Sequence, residues 1–242
     1  MQVWSVMMIF KGWQKTSLIE YPGKISTVLF TGGCNFRCPF CYNRDLVLNP
    51  GKLPDIPEKD VMDFLNEKRN LYQAVMVTGG EPTMQKDLPD FFAKVKGLGL
   101  LAGLETNGTN PGALKEILDK RILDFIAMDV KAPLFWEKYS RAAGLKDNKL
   151  FENVKNSVKI ITGSEIDYEF RTTIVPGLHK EKDISDIALQ LKGARKLVLQ
   201  QFIPNNTLDG DLAKVEPYPA EALFRMKELA GKYVKHVEIR NV

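Results

Sequence analysis

Six short runs rich in apolar and β-branched residues recur along the chain, near Ser26–Thr31, Ala74–Thr78, Leu100–Thr106, Asp124–Asp129, Tyr168–Val175 and Lys196–Phe202. They read apolar almost throughout rather than alternating. Strands covered on both faces look like this, and sheets covered on both faces are typically parallel. Amphipathic stretches of helical period lie between them. Pro57–Arg69 places Val61, Phe64 and Leu65 on one face, and Leu88–Lys96, Pro111–Lys120, Phe151–Ile160, Ile184–Leu191 and Pro219–Tyr233 follow the same pattern. A last short strand is expected at Val237–Arg240. The alternation predicts an α/β fold with parallel strands. Six β/α units are fewer than the eight of a full barrel, so an open sheet and a partial (β/α)6 TIM-like barrel both fit. With no linker, low-complexity stretch or repeat in 242 residues, a single domain over 1–242 is expected.

In either architecture, active-site residues belong at the C-terminal ends of the strands, and the unusual polar residues fall there. The first run leads into Thr31-Gly32-Gly33-Cys34, the second into Thr78-Gly79-Gly80-Glu81-Pro82 and the third into Glu105-Thr106-Asn107-Gly108. The fourth ends in Asp129-Val130-Lys131, the fifth carries Arg171 before Val175-Pro176-Gly177, and the sixth ends in Gln200-Gln201. These ends are expected to converge on one mouth.

Composition narrows the chemistry. A net charge of +4 with the signs interspersed gives no footprint for nucleic acid. The longest apolar run near the start, Val6–Phe10 with Trp4 before it, is far short of the ~20 residues of a membrane span. It also lacks the flanks of a signal peptide. Met7 and Met8 offer alternative starts to Met1. Two histidines leave little room for imidazole-rich metal sites. Three cysteines, Cys34, Cys38 and Cys41, lie within eight residues and cannot form a disulfide framework, which points to a reducing cytoplasm. Structural zinc prefers four ligands in paired spacings. A C-x3-C-x2-C loop instead offers three thiolates to a four-iron cluster that normally takes four, leaving one iron open to a ligand.

The cysteine loop, with an aromatic before its last cysteine, resembles the cluster loop of the radical S-adenosylmethionine superfamily. The segment Gly12–Lys24, Gly79-Gly80-Glu81-Pro82, Glu105-Thr106-Asn107-Gly108 and Asp129-Val130-Lys131 extend the resemblance to the glycyl-radical-enzyme activases. That resemblance implies a partial barrel and a [4Fe-4S] cluster on Cys34, Cys38 and Cys41. S-adenosylmethionine would bind the open iron and be cleaved reductively to a 5′-deoxyadenosyl radical. It implies that Gly79, Gly80 and Glu81 lie by the methionine amino group, with Glu105 and Asn107 beside the same end of the cofactor. Asp129 and Lys131 would lie by its carboxylate or ribose, and Phe40 against its adenine. Arg171 would face the reaction chamber. Glu20, in an N-terminal substrate-side extension over 1–23, would meet the substrate loop. The implied partner is a glycyl radical enzyme, by nearest likeness an anaerobic ribonucleoside-triphosphate reductase. A flavodoxin or ferredoxin would be the electron donor, since no cysteines remain for a second cluster.

Two departures from the activase pattern stand out. Tyr42 occupies a position where many activases have His, and Gln201-Phe202-Ile203-Pro204-Asn205 replaces a segment where some carry another. No catalytic histidine is therefore carried over. Two rivals remain at this stage: a radical enzyme acting on a small molecule, similar to 7-carboxy-7-deazaguanine synthase, and a metal-binding interaction protein without turnover.

Overall fold

A computed structural model describes residues 7–242, so Met1, the first six residues of the expected 1–23 extension, and Trp4 and Val6 at the early apolar run lie outside the described residues. The elements are β1 (Ile9–Phe10), β2 (Gly12–Ser17), β3 (Ser26–Thr31), α1 (Arg44–Leu48), β4 (Ile56–Pro57), α2 (Glu58–Lys68), β5 (Ala74–Gly79), α3 (Leu88–Gly97), β6 (Leu101–Thr106), α4 (Pro111–Asp119), β7 (Phe125–Asp129), α5 (Trp136–Ala143), α6 (Asn148–Thr162), β8 (Asp167–Ile174), α7 (Glu181–Gln190), β9 (Lys196–Gln201), α8 (Ala220–Ala230) and β10 (His236–Arg240). All six expected central strands are present within a residue or two, as is the last short strand. The additions are β1, β2, β4, α1 and α5. No helix among the described residues is long and apolar enough to cross a membrane.

Contacts divide the chain into two compact units. Among the described residues the first comprises 7–35 with Asp45–Thr106 and Gly112–Ile126; the second comprises Phe36–Arg44, Asn107–Pro111 and Ala127–Val242. In the first unit the strand order is β2-β3-β5-β6. β3 runs parallel to β5 from Ser26 beside Ala74 to Thr31 beside Gly79, and β5 parallel to β6 from Ala74 beside Leu101 to Val77 beside Leu104. Ala74, Val75, Met76 and Val77 are all fully buried, which explains why β5 reads apolar at consecutive positions. β2 pairs antiparallel with β3 at the sheet edge. Its Trp13 lies edge-on to Phe64 of α2, and the Lys15 ammonium sits 2.8 Å from the Trp13 ring centre. β1 and β4 form a second, two-stranded sheet. Buried Glu58 secures it, accepting from the Met8 amide at 2.9 Å and pairing with Lys94 at 2.5 Å.

In the second unit β8, β9 and β10 are parallel neighbours, with Thr173 beside Gln200 and Gln200 beside Arg240. A charged network ties these strands. Glu169, fully buried, accepts from Arg171 Nε at 2.7 Å and from both terminal nitrogens of Arg240 at 2.7 and 2.9 Å. Lys196 reaches it at 3.1 Å and also pairs with Glu238 at 2.6 Å. Charges this deep are tolerated only when paired. Burial disfavours the Glu169 carboxylate, but the bonds from Arg240 and the charge of Arg171 outweigh it and hold its pKa at about 2, against an ordinary 4.5.

A depressed carboxylate pKa stabilises the fold above the ordinary value, and that stabilisation is lost as pH falls toward about 2. For Glu169 it amounts to roughly 3 kcal/mol at neutral pH. Glu169→Gln is therefore expected to lower the unfolding free energy by about that amount at pH 7. The gap to wild type should shrink steadily below pH 4.5 in denaturant melts. A gap that did not depend on pH would contradict the assignment.

Candidate active site

The strand-end glycines of the first unit bring backbone against backbone. Gly79, the last residue of β5, has φ +119°, a conformation that side chains rarely adopt. A Cβ on Gly80 would fall on the Gly33 carbonyl. The Gly80 amide donates to the Thr31 carbonyl at 2.9 Å and the Glu81 amide to the Gly33 carbonyl at 2.8 Å. Gly33 in turn donates to the Leu46 carbonyl of α1 at 2.8 Å. The residues leading into Cys34 are thus held by the Gly79-Gly80-Glu81 loop directly, with no side chain between.

Glu81 is fully buried. One of its oxygens accepts from the Thr83 amide at 3.1 Å, the Thr83 hydroxyl at 2.5 Å and the Thr106 hydroxyl at 2.7 Å. It caps the short turn Pro82–Met84 and ties it to the end of β6. Glu105 accepts from the Thr78 hydroxyl at 2.7 Å, so the two strand-end positions share a face. Glu20 lies in the connection between β2 and β3. It is at the end of β3 opposite the one that leads to Cys34.

In the second unit, Cys38 is buried and Cys41 half-buried, with the Cys41 amide donating to the Cys38 carbonyl at 3.1 Å. Burial pushes the Cys41 thiol above its ordinary value, partly opposed by the Asn43 amide and the Lys131 charge. A metal that takes the thiolate reverses that preference. Two segments with no counterpart among the expected elements fix this stretch. The first is α5. Its Ala143 carbonyl accepts from the Arg37 amide at 2.9 Å, and Tyr139 meets Phe36 edge-on. Gly144, at φ +62°, ends the helix so close to the Arg37 carbonyl that no side chain fits. The second is the segment after β9. Its Leu208 and Asp209 amides donate to the Cys41 and Pro39 carbonyls at 3.0 and 2.8 Å, while the Ile203 amide donates to the Tyr42 hydroxyl at 2.8 Å. The Gly144 turn after an amphipathic Trp136–Ala143 was the available signal for α5; nothing local marks 203–209.

Asn107 is buried and folds its carbonyl oxygen onto the Thr109 amide and hydroxyl at 3.0 and 2.7 Å. α6 grips the same loop through Ser157 on the Gly108 carbonyl at 2.6 Å and Asn153 on the Thr109 carbonyl at 2.9 Å. Lys131 pairs with Asp129 at 2.7 Å. Burial works against the Lys131 charge, but Asp129, Cys38 and Cys41 hold its ammonium well above the ordinary lysine value. That ammonium lies 5.9 Å from the centre of the Phe40 ring, and Phe40 itself is buried edge-on to His179. Arg171 sits in the Glu169 network, and Gln201 donates to the Tyr218 carbonyl at 2.6 Å.

The donor set fits an iron–sulfur cluster: three cysteines on one short loop, held by backbone bonds rather than by disulfides. No three His, Cys, Asp or Glu side chains among the described residues are grouped to hold a single metal ion. A cluster asks for no such convergence, because each cysteine takes a different iron. The bare Cα positions of Gly79 and Gly80 are taken up by the Thr31 and Gly33 backbone, which draws this loop against the chain entering Cys34.

Residues 28–189 match the profile of the Radical SAM superfamily. A Methanocaldococcus jannaschii protein provisionally named a glycyl-radical enzyme activating enzyme is 35% identical over 234 residues, 93% of each chain. The pyruvate formate-lyase-activating enzyme of Clostridium pasteurianum is 28% identical over 200 residues, 81% of each. Among solved structures, Streptococcus suis SuiB bound to S-adenosylmethionine superposes with a TM-score of 0.64 at 16% identity. The match covers 88% of this chain and about half, 52%, of that longer protein. The fold class is accordingly the α/β partial (β/α)6 barrel with parallel strands. A [4Fe-4S] cluster and S-adenosylmethionine are the cofactors of the family. With the superfamily profile over two thirds of the sequence and an activase relative along nearly all of it, the chain belongs to the radical S-adenosylmethionine enzymes, in their glycyl-radical-enzyme activase family.

Proposed function

We propose that this activase installs its glycyl radical on an anaerobic ribonucleoside-triphosphate reductase, drawing electrons from a flavodoxin or ferredoxin in the cytoplasm. The cofactors, when bound, supply one-electron cleavage of a sulfonium carbon–sulfur bond and abstraction of a hydrogen atom from the partner's glycine. The chain supplies the holding. Cys34, Cys38 and Cys41 take three irons of the cluster. Gly79 and Gly80 bring their loop to the methionine amino group with Glu81 nearby, and the bonds of buried Glu81 to Thr83 and Thr106 keep that loop shaped. Glu105 and Asn107 serve the methionine end, Asp129 and Lys131 the carboxylate or ribose, and Phe40 the adenine. Arg171, steadied by Glu169, faces the partner's glycine loop. Glu20, at the far end of β3, meets the partner away from the cluster loop, and the segment 1–23 serves as the substrate-side extension of a single catalytic domain.

The observation that carries the cofactor side of this reading is the backbone contact of Gly80 with Gly33, which leaves no room for a side chain beside the cysteine loop. The choice of partner rests on the likeness of Gly12–Lys24 and of the strand-end motifs to the reductase activases.

Anaerobic reconstitution with iron and sulfide is expected to give about four irons per chain. The reduced protein should show a paramagnetic signal that changes on adding S-adenosylmethionine. Addition of the purified reductase and a reduced flavodoxin should then produce a glycyl radical signal on the reductase. Cofactor cleavage without a protein radical, but with turnover of a deazapurine precursor, would select the small-molecule rival. A signal indifferent to S-adenosylmethionine would remove both enzymes and leave the binding protein.

Two variants refine the site. Cys38→Ala should bring iron content close to that of unreconstituted protein, and retained activity would refute the cluster assignment. Gly80→Ala must displace the Gly33 carbonyl. It should destabilise the fold by about 1–3 kcal/mol and weaken the spectral response to S-adenosylmethionine at unchanged iron content. A wild-type titration in that variant would dissociate the glycine loop from cofactor binding.

A further inference from the structure

His179 is one of two histidines in the chain, and neither the family pattern nor the proposed mechanism gives it a role. It is fully buried at the end of the loop that follows β8. The loop turns back on itself: the Leu178 and His179 amides both donate to the Val175 carbonyl, at 3.1 and 2.9 Å. The imidazole then makes two bonds in opposite directions. Nδ1 accepts from the Val175 amide at 3.0 Å, and Nε2 lies 2.8 Å from the Lys131 carbonyl.

These partners settle the protonation state. A backbone amide can only donate, so Nδ1 carries no proton; a carbonyl can only accept, so Nε2 carries one. A second ring proton would point into the Val175 N–H. Burial acts in the same sense, pushing the imidazole below its ordinary pKa. His179 is thus a neutral link of fixed tautomer between the loop that ends β8 and the residue after β7. It is steadied in turn by the Tyr218 hydroxyl, which donates to the His179 carbonyl at 2.7 Å.

The link matters because of what it holds. The Val130 amide donates to the Arg171 carbonyl at 2.8 Å and the Val130 carbonyl accepts from the Thr172 hydroxyl at 2.9 Å. With His179 on the next carbonyl, the peptide units on either side of Lys131 cannot rotate. The direction of the Lys131 side chain, and of its pair with Asp129, is set by those units. The same imidazole meets the Phe40 ring edge-on, with centres 6.4 Å apart. Asp129, Lys131 and Phe40 are the three residues of this unit assigned above to the cofactor's carboxylate, ribose and adenine.

We propose that His179 is a positioning residue for S-adenosylmethionine binding, acting through its bond to the Lys131 carbonyl to fix the Asp129–Lys131 pair against Phe40. The inference rests on the cofactor roles proposed for those three residues. It is distinct from a merely structural role for the loop, because the two ring bonds serve different ends: Nδ1 closes the loop, and Nε2 reaches the cofactor segment.

Two amide variants separate them. In His179→Asn the side-chain oxygen can still accept from the Val175 amide, but the side chain is too short to reach Lys131. In His179→Gln the amide extends as far as Nε2 and can again donate to that carbonyl. Each protein is reconstituted anaerobically, and the change in its reduced paramagnetic signal is titrated with S-adenosylmethionine; iron content and melting temperature are recorded alongside. His179→Asn is expected to keep its iron and to need at least ~10-fold more S-adenosylmethionine, the effect of losing one bond worth about 1.4 kcal/mol. His179→Gln should recover to within about threefold of wild type. A His179→Asn titration matching wild type overturns the proposal, as does failure of both variants to fold, which would assign the residue to stability alone. Lys131→Met is the control for the underlying reading. If it also titrates like wild type, the cofactor role of Lys131 fails; if it loses the response while His179→Asn keeps it, only the role of His179 fails.

Discussion

Backbone packed directly on backbone at the ends of β3 and β5 is the constraint on which the site depends. Parallel strands lie about 4.8 Å apart, and their loops normally diverge because side chains need the space. Here the Gly80 and Glu81 amides continue the ladder past the end of β5 onto Thr31 and Gly33. The chain entering Cys34 is therefore an extension of the sheet rather than a free loop. The positive φ at Gly79 produces the turn, and the bare Cα at Gly80 permits the contact. Glu81 follows from the same geometry: with its amide fixed on Gly33, its carboxylate is drawn inward and buried, where three donors from Thr83 and Thr106 satisfy it.

The central strands were legible because burial on both faces leaves a signature in consecutive residues, as at Ala74–Val77. β2 was not, because an edge strand answers to other rules. Its Gly-Trp-Gln-Lys-Thr-Ser has one large apolar residue, and what secures it is long-range: an edge-on contact from Trp13 to Phe64, with Lys15 reaching over the same Phe64 ring. β1 and β4 are two residues each and exist only because they find one another. α5 is amphipathic, but at eight residues it is below the length at which periodicity separates a helix from a turn. In the site, residue types and spacings could be read locally. The 203–209 clamp on the cysteine loop could not, since it joins positions more than 160 residues apart.

The two departures from the activase pattern are one feature in space. The Tyr42 ring stacks on Phe202, with planes 16° apart and centres at 6.3 Å, and its hydroxyl accepts from the Ile203 amide. Where the pattern has histidines on both segments, this chain has an aromatic pair and a backbone hydrogen bond. Burial holds the Tyr42 hydroxyl above its ordinary pKa, so it stays neutral across the working range. The two segments are thus joined here without a histidine on either.

That replacement bears on what kind of chemistry the site can perform. Acid–base catalysis needs groups poised to exchange protons near neutral pH. Three groups near the strand ends are displaced from that condition: Tyr42 is pushed up, Lys131 is held charged by Asp129, and His179 is held neutral by two backbone partners. Glu169, beneath Arg171, is fixed as an anion. Each is locked in one protonation state by a specific neighbour. Hydrogen-atom abstraction requires no proton to be gained or lost by the protein, only that the reacting centres be held close and kept from water. Side chains held in one charge state by their neighbours suit that task, and the interactions that hold those charges also fix their directions.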